Sequence, residues 1–265
     1  MKDDARQGDD REPTSGPTYV APALEKGLDI LELLSRSEAP LTQKEIAKEL
    51  GRSVSELYRM ISCLVDRGYV ATSNERYHVT TKLFELAQLN PPMQRLLSEA
   101  MPLMQKLSDD LDQSCHLTVY NRGRQVVISK VDAPSGMGFS VRVGAELDVL
   151  VSASGRTLLA FQDAQTRELR IAESLSRRPD HADPQIRATL DMIRVRGFES
   201  IPSAQVRGLF AVSYPIRDPQ GTAIAALTVP YAERIDIAQR KPIAVVEEML
   251  GETASALSKR IGGIG

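Results

Sequence analysis

Residues 41–70 read LTQKEIAKELGRSVSELYRMISCLVDRGYV and contain two helix-start patterns in close succession. In Thr42–Glu45 and in Ser53–Glu56, a hydroxyl residue is followed three positions later by Glu, which is the pattern of a capping box. Gly51 and Gly68 follow the apolar positions of the two segments, and glycine readily takes the left-handed conformation that ends a helix. Two short capped helices joined by so tight a turn predict a helix-turn-helix.

The flanking segments predict the winged form of this motif. Residues 23–35 carry leucines at helical spacing, which predicts one apolar stripe made of Leu24, Leu28, Leu31 and Leu34. Residues 69–71 and 77–79 are β-prone and enclose a polar turn, so we expect a hairpin, or wing. A helical run at 82–89 follows, and then a longer helix at about 93–112, in which Pro102 suggests a kink or a break.

The helix that begins at Ser53 offers a polar face on which DNA can bind. In a helix-turn-helix the second helix lies in the major groove, with its N-terminal residues nearest the bases. Arg can bond guanine or a phosphate, while Ser and Tyr hydroxyls usually reach phosphates. The predicted DNA-binding residues are Thr42, Arg52, Ser53, Ser55, Glu56, Tyr58, Arg59 and Arg76. Any solvated helix shows similar residues, so this interpretation depends on the capping boxes and the wing beside them.

Two of these residues have an alternative interpretation. The Glu56 carboxylate is placed where a capping box needs it, but it could also accept a hydrogen bond from cytosine N4. Arg76, expected in the turn of the wing, is a candidate for a minor-groove or phosphate contact, although a single Arg in a turn is more often solvated. Cys63 is expected near the buried side of its helix.

The second half of the chain predicts an α+β domain with a mainly antiparallel sheet. Strands are expected at 115–120 and 125–131, and a hairpin at 209–216 and 222–229 encloses a turn at 218–221. Helices are expected from Ser152 to about 161, near 164–175 and 184–196, and from about 242 to 259. This half is the candidate for ligand binding.

The expected ligand site is the helix start at residues 152–155. Ser152, Ser154 and the free N–H groups of a first helical turn suit a carboxylate or another anion, although the same residues also make an ordinary N-cap. The Gly-rich loop around Gly138 and the closing strands could complete a pocket. The candidate effector-binding residues of the helix start and the loop are Gly138, Ser152, Ala153, Ser154 and Gly155, with Ser213 on a closing strand.

Motifs for catalysis and for cofactors are scarce. There is no G-x-S-x-G elbow, and the Gly136–Val141 run lacks the third glycine of a dinucleotide fingerprint. His78, His116 and His181 lack metal-ligand spacing, and Cys115 and His116 should point to opposite faces of a strand. We therefore predict no catalytic residues, no metal and no cofactor.

Composition sets further bounds on the class of protein. The 265 residues are 42% hydrophobic and carry a formal net charge of −2, which excludes a protein that is basic throughout. No apolar run is long enough to cross a membrane and the N-terminus has no secretory signal. Two cysteines fit a reducing, cytoplasmic location. Residues 1–18 are polar and acidic and should form a disordered tail.

Charge within the proposed DNA-binding segment is also balanced. Residues 19–90 contain nine basic and ten acidic side chains. DNA recognition would therefore depend on a few specifically positioned arginines and backbone N–H groups. We expect weak nonspecific DNA affinity and a need for dimerisation.

The chain contains, in this order, Ala23–Leu31, Leu41–Gly51, Tyr58-Arg59, Leu64–Val70, Gly144 before Leu147, Ser154–Ala160, Arg196–Phe198, Gly208 and the closing hairpin. Taken together, these segments resemble the IclR-type transcriptional regulators. The resemblance implies a winged helix-turn-helix domain at 19–90, a linker helix at 91–112 and a GAF-like effector-binding domain at 113–265. It also implies dimers or tetramers on palindromic operator DNA, and small organic acids or aromatic catabolites as effectors. The effector-pocket positions that the resemblance implies are Ala153, Ser154, Leu209, Ala211 and Thr228.

The chain departs from the family pattern at four positions. Ser53 replaces a residue that is usually basic, and Glu56 replaces a small hydroxyl residue. Ile201 occupies a place where the family can supply an acidic pocket residue, and Pro230 stands where a small hydroxyl residue is frequent. The effector of any one family member therefore cannot be carried over.

Two hypotheses follow for the function. The first is an effector-responsive transcriptional regulator that controls a catabolic operon. The alternative is a metabolite-binding enzyme with a vestigial helix-turn-helix. Turnover of an acid or lactone without selective DNA binding would favour the enzyme.

Overall fold

The structure is a computed structural model that describes residues 21–136, 138–233 and 241–265. The chain forms two compact units, of which the first ends at Asn90 and the second begins at Pro91. The expected disordered tail at residues 1–18 lies outside the described residues. The domain boundaries given above stay a prediction.

The first unit contains four helices and a small sheet within its described residues. In chain order its elements are α1 Pro22–Arg36, β1 Leu41–Thr42, α2 Gln43–Glu49, α3 Val54–Asp66, β2 Val70–Ser73, β3 Arg76–Val79 and α4 Lys82–Gln88. The strands pair antiparallel in the order β1-β3-β2. This arrangement confirms the winged helix-turn-helix.

Local sequence signals account for the boundaries of these elements. Both capping boxes are formed, with Thr42 at the start of α2 and Ser53 at the start of α3. Gly51 and Gly68 have φ of +61° and +73°, as expected for residues that follow a helix. The tip of the wing is Asn74-Glu75; both residues have positive φ, which matches the twist of a two-residue hairpin.

The core of the first unit differs in part from the predicted stripe. Its buried residues are Ile30, Leu34, Ile46, Ala47, Leu57, Ile61 and Val70. Leu24 and Leu28 are 63% and 49% exposed, because the buried positions of α1 all lie in its second half. Cys63 is exposed, and the prediction that it lies in the core was wrong. It is two positions beyond the buried Ile61, which places it on another face of the helix.

The second unit combines helices with a larger sheet. Its elements in chain order are α5 Pro91–Leu111, β4 Cys115–Asn121, β5 Arg124–Val131, β6 Glu146–Leu147, α6 Ala153–Ala160, α7 Ala164–Arg177, a 3-10 helix Pro179–His181, α8 Ile186–Arg196, β7 Glu199–Pro202, β8 Leu209–Arg217, β9 Ala223–Ala232 and α9 Ile243–Arg260. The described strands form a six-stranded sheet in the order β6-β5-β4-β9-β8-β7. Every pairing among them is antiparallel, as predicted.

The sheet of the second unit buries a core on each face. On one face α5 and α9 pack against residues such as Leu117, Leu227 and Val229. On the other face α6 packs against β8 and β9, and α8 packs behind α6. Because the buried, eight-residue α6 lies directly on the sheet, its N-terminus is held close to the ends of the central strands.

Two details of this unit differ from the sequence interpretation. Helix α5 begins at Pro91 itself, since a proline at the first helical position loses no intrahelical hydrogen bond, and it continues through Pro102 without a break. Strand β7 was not predicted. It is short, contains Pro202, and lies at the sheet edge, where a missing ladder donor is tolerated.

Candidate nucleic-acid interface and ligand cavity

The start of α3 is held by contacts within the first unit. The Ser53 hydroxyl accepts a hydrogen bond from the Glu56 N–H at 3.3 Å, and Glu56 Oε2 accepts one from the Ser53 N–H at 3.0 Å. Lys26 Nζ lies 3.2 Å from Glu56 Oε1. The bond from the Ser53 backbone N–H and the contact with Lys26 lower the pKa of Glu56 to about 2. This geometry supports the capping interpretation of Glu56.

Two of the predicted DNA-binding arginines are also engaged inside the unit. Arg52 lies 3.6 Å from the Asp29 carboxylate. Arg76 is the first residue of β3 and not part of the turn as expected; it donates to the Pro40 carbonyl at 2.9 Å and lies 3.2 Å from Glu45. Both guanidinium groups are therefore close to carboxylates of the same unit.

Tyr58 and Arg59 on α3 make no side-chain hydrogen bond or ion pair to any residue that the structure describes, in contrast to Ser55 and Thr42. Tyr58 is 56% exposed, and Arg59 is exposed without an ion pair in the part of the chain that the structure describes. The Ser55 hydroxyl lies 3.1 Å from the Ser53 hydroxyl. Thr42 takes part in the α2 cap, where its hydroxyl accepts from the Glu45 N–H. Tyr58 and Arg59 are thus the predicted residues most available to an external partner.

A small cavity of about 50 Å³ lies on the α6 face of the larger sheet. Six predicted effector-binding residues line it, namely Ser152, Ala153, Ser154, Leu209, Ala211 and Thr228. The other lining residues are His116, Phe139, Val141, Leu147, Val151, Ile201, Ser203, Ala204, Gln205, Phe210 and Pro230. Among the residues that the structure describes, the lining contains no Asp, Glu, Lys or Arg.

Three predicted residues do not line this cavity. Gly138 is exposed in a loop. A Cβ atom on Gly155 would lie 2.3 Å from the Val149 carbonyl oxygen, so glycine is needed there for close packing of α6. Ser213 is fully buried, and its hydroxyl accepts a hydrogen bond from Thr228 at 2.8 Å. Gly155 and Ser213 each contact a residue that lines the cavity: the Gly155 N–H donates to the Ser152 hydroxyl, and the Ser213 hydroxyl accepts from Thr228.

The N-terminus of α6 supplies polar groups to the cavity. The Ser152 hydroxyl is fully used, since it donates to the Asp148 carbonyl at 2.5 Å and accepts from the Gly155 N–H and from Gln125 Nε2. The N–H groups of Ala153 and Ser154 have no hydrogen-bond acceptor among the described residues. These two groups are therefore available to an anion or a carbonyl oxygen in the cavity.

His116 is a cavity residue that the sequence interpretation missed. It is 4% exposed, and neither ring nitrogen has a hydrogen-bond partner in any described residue. Burial lowers the pKa of His116 to about 4, so the imidazole is neutral near pH 7. An unsatisfied buried polar group costs about 1–3 kcal/mol. The sequence signal was its position next to Cys115, which packs into the core on the opposite face of β4.

The described residues provide no metal centre and no membrane span. In residues 21–136, 138–233 and 241–265, no group of three or more His, Cys, Asp or Glu side chains is placed to hold a metal ion. No helix within those ranges has the length and apolar character needed to cross a membrane.

A winged helix-turn-helix followed by an α+β unit with a mostly apolar cavity defines a class of ligand-responsive DNA-binding regulators. Comparison with known families agrees with this class. The profile of the IclR helix-turn-helix domain matches residues 23–73, and that of the bacterial transcriptional regulator IclR C-terminal domain matches residues 93–259. The chain belongs to the IclR family of transcriptional regulators, and its C-terminal domain is the effector-binding domain.

Curated relatives are similar over most of the chain. The HTH-type transcriptional regulator KdgR of Dickeya chrysanthemi is 27% identical over 221 residues, which cover 81% of this chain and 72% of the relative. The acetate operon repressor of Salmonella typhimurium is 24% identical over 238 residues, covering 85% of both chains. Because the family and these relatives are transcriptional regulators, the enzyme alternative is not favoured.

Solved structures share the fold. Pseudomonas aeruginosa HmgR is 26% identical with a TM-score of 0.69, over 91% of this chain and 99% of that one. An IclR homolog from Microbacterium hydrocarbonoxydans, solved with 4-hydroxybenzoate, is 22% identical with a TM-score of 0.73, over 90% of this chain and 98% of that one.

Proposed function

We propose that this regulator controls a catabolic operon and responds to a small organic acid bound in the cavity beside α6. The observation that carries the proposal is the pair of unpaired N–H groups of Ala153 and Ser154 at a mostly apolar cavity. A carboxylate satisfies such groups and is favoured by the helix dipole. The Salmonella relative is named an acetate operon repressor, and the Microbacterium homolog was solved with 4-hydroxybenzoate.

The DNA interface in this proposal is the exposed side of α3 with the adjacent wing. Arg59 and Tyr58 make the contacts nearest the groove, together with Ser55 in the first turn of the helix. Arg52 and Arg76, held by Asp29 and Glu45, contribute to the phosphate contacts. Ser53, Glu56 and Thr42 hold the helix starts in place.

We further propose that the chain acts in the cytoplasm as a homodimer, or as a tetramer, on a palindromic operator. The exposed Leu24 and Leu28 on α1 form an apolar surface that a second copy can cover. A dimer makes twice the DNA contacts of a single chain. The near-neutral DNA-binding domain needs these additional contacts, because its general attraction to DNA is weak. The boundaries 19–90, 91–112 and 113–265 remain our proposal for the DNA-binding, linker and effector-binding segments.

The experiment that tests the effector site is a thermal-shift screen of small organic acids with the full-length protein. Acids that raise Tm are then added to the protein on DNA selected from a random duplex pool, and the Kd is measured. Ala211→Phe should fill the cavity, abolish the Tm shift and leave operator binding intact. Full retention of the Tm shift in that variant would place the acid elsewhere.

A further inference from the structure

We propose that His116 recognises a hydroxyl group of the effector, so that the cavity selects hydroxy-substituted carboxylic acids over the same acids without the hydroxyl. This inference rests on the proposed function, because it assumes that the cavity beside α6 is the effector site. It adds a residue and a chemical class to that site. The argument starts from the polar groups that surround the imidazole.

His116 belongs to a row of polar side chains that crosses the sheet. Register pairing places it between Lys130 on β5 and Thr228 on β9, and directly paired residues share a face of the sheet. Thr228 donates its hydroxyl hydrogen to Ser213 at 2.8 Å. Lys130 Nζ lies 2.9 Å from both oxygens of Asp132 and 3.3 Å from the Ser140 hydroxyl. Thr228 and Lys130 therefore make their hydrogen bonds to other residues, and neither pairs with the imidazole.

The imidazole is a buried polar side chain that the fold leaves without a hydrogen-bond partner at the cavity. Both ring nitrogens are buried without a partner among the residues that the structure describes, and the residue lines the cavity. A neutral imidazole has one donor and one acceptor nitrogen. A hydroxyl group can donate to the acceptor nitrogen, or accept from the donor nitrogen. A hydroxyl group therefore pairs with one of the ring nitrogens, whereas an alkyl group in the same place leaves both nitrogens without a hydrogen bond.

The carboxylate of the effector has a different place in the cavity. The described lining holds no cationic side chain, so a carboxylate is best satisfied by the N–H groups of Ala153 and Ser154. The hydroxyl of the same molecule is then left for His116. Two separate polar anchors in an otherwise apolar cavity select a ligand with two polar groups.

The test compares matched pairs of acids on the full-length protein. Binding of lactate and propionate, and of 4-hydroxybenzoate and benzoate, is measured by isothermal titration calorimetry. In the wild-type protein we expect the hydroxy acid of at least one pair to bind about 10-fold more tightly or better, because its partner leaves a buried polar group unpaired. In His116→Leu the two acids of that pair should bind within about 3-fold of each other. His116→Gln, which keeps a donor and an acceptor, should recover part of the preference.

A control variant and a ligand-free readout complete the test. Thr118→Val removes a buried hydroxyl two residues along the same face of β4, outside the cavity lining, and should keep the full hydroxyl preference. Without ligand, His116→Leu should raise Tm, since it removes an unsatisfied polar group; a lower Tm would show a structural role and overturn the inference. An unchanged hydroxyl preference in His116→Leu would overturn the inference, but it would not contradict the proposed effector site beside α6. If none of the four acids binds the wild-type protein, the result contradicts the proposed function as well.

Discussion

Single side chains at the start of α3 divide into those that hold the helix and those that are free for DNA. The Glu56 carboxylate accepts a hydrogen bond from the Ser53 N–H at the start of its own helix and pairs with Lys26 at 3.2 Å. Arg59, one turn further along, has no such contact in the described part of the chain. The capping box was readable from local spacing, whereas the pairing with Lys26 joins residues that are far apart in sequence and depends on how α1 packs on α3.

Replacing Arg59 with Ala should weaken operator binding by about 5- to 150-fold, which corresponds to about 1–3 kcal/mol for a base contact. The reason is that Arg59 is an exposed guanidinium on the helix proposed to enter the groove. Arg36→Ala is the matched control, because Arg36 is an exposed arginine of the same unit in a surface pair with Glu32. Fluorescence anisotropy with labelled operator measures both. Equal affinities of the wild type and Arg59→Ala would remove Arg59 from the interface.

The stabilising effect of the Glu56 charge should depend on pH. Its pKa falls from the ordinary value of 4.5 to about 2 in the folded protein, so its contribution is fully present above about pH 4.5 and is lost as the pH falls towards 2. Glu56→Gln should therefore lower Tm at pH 7, and the difference from wild type should shrink between pH 5 and pH 2. Thermal melts across this range, followed by circular dichroism, measure the difference. A difference in Tm that does not change with pH would contradict the assignment of the charge to the cap.

At the scale of elements, the short helix α6 connects the packing of the sheet to the cavity. Its N-cap at Ser152 is visible in the sequence, as are the two capping boxes of the first unit. The cavity itself is not, because His116 reaches it only through the register of β4 with β9. The exposure of Leu24 likewise depends on tertiary packing, since helical spacing defines a stripe but not how much of it is covered.

Two glycine substitutions in helices should have opposite effects on stability. Gly155→Ala would place a Cβ atom 2.3 Å from the Val149 carbonyl oxygen, and we expect a loss of about 1–3 kcal/mol from overpacking. Gly27→Ala in α1 meets no atom within 4 Å, and we expect a gain of about 0.5–1 kcal/mol. The free energy of unfolding from urea titrations tests both. Tolerance of Ala at position 155 with normal stability would show that α6 is not packed as described.

At the scale of the whole molecule, the near-neutral charge means that DNA recognition has to depend on a few well-positioned side chains and backbone N–H groups. The 33 basic and 35 acidic side chains of the chain leave a formal net charge of −2, so a general attraction to DNA is small. In our proposal, selective DNA binding depends on α3, on the wing and on a second copy of the chain. In the same proposal, an acid bound in the second unit favours one of two states that have different affinities for operator DNA.

The most direct test of this account is the Kd for a selected operator duplex, measured by fluorescence anisotropy with and without an acid that raises Tm. We predict selective binding to a palindromic duplex over a scrambled one, and a change in Kd of about 5- to 150-fold on addition of the acid. Ala211→Phe should bind the same duplex and show no response to the acid. An operator Kd that stays the same at saturating acid would contradict the account.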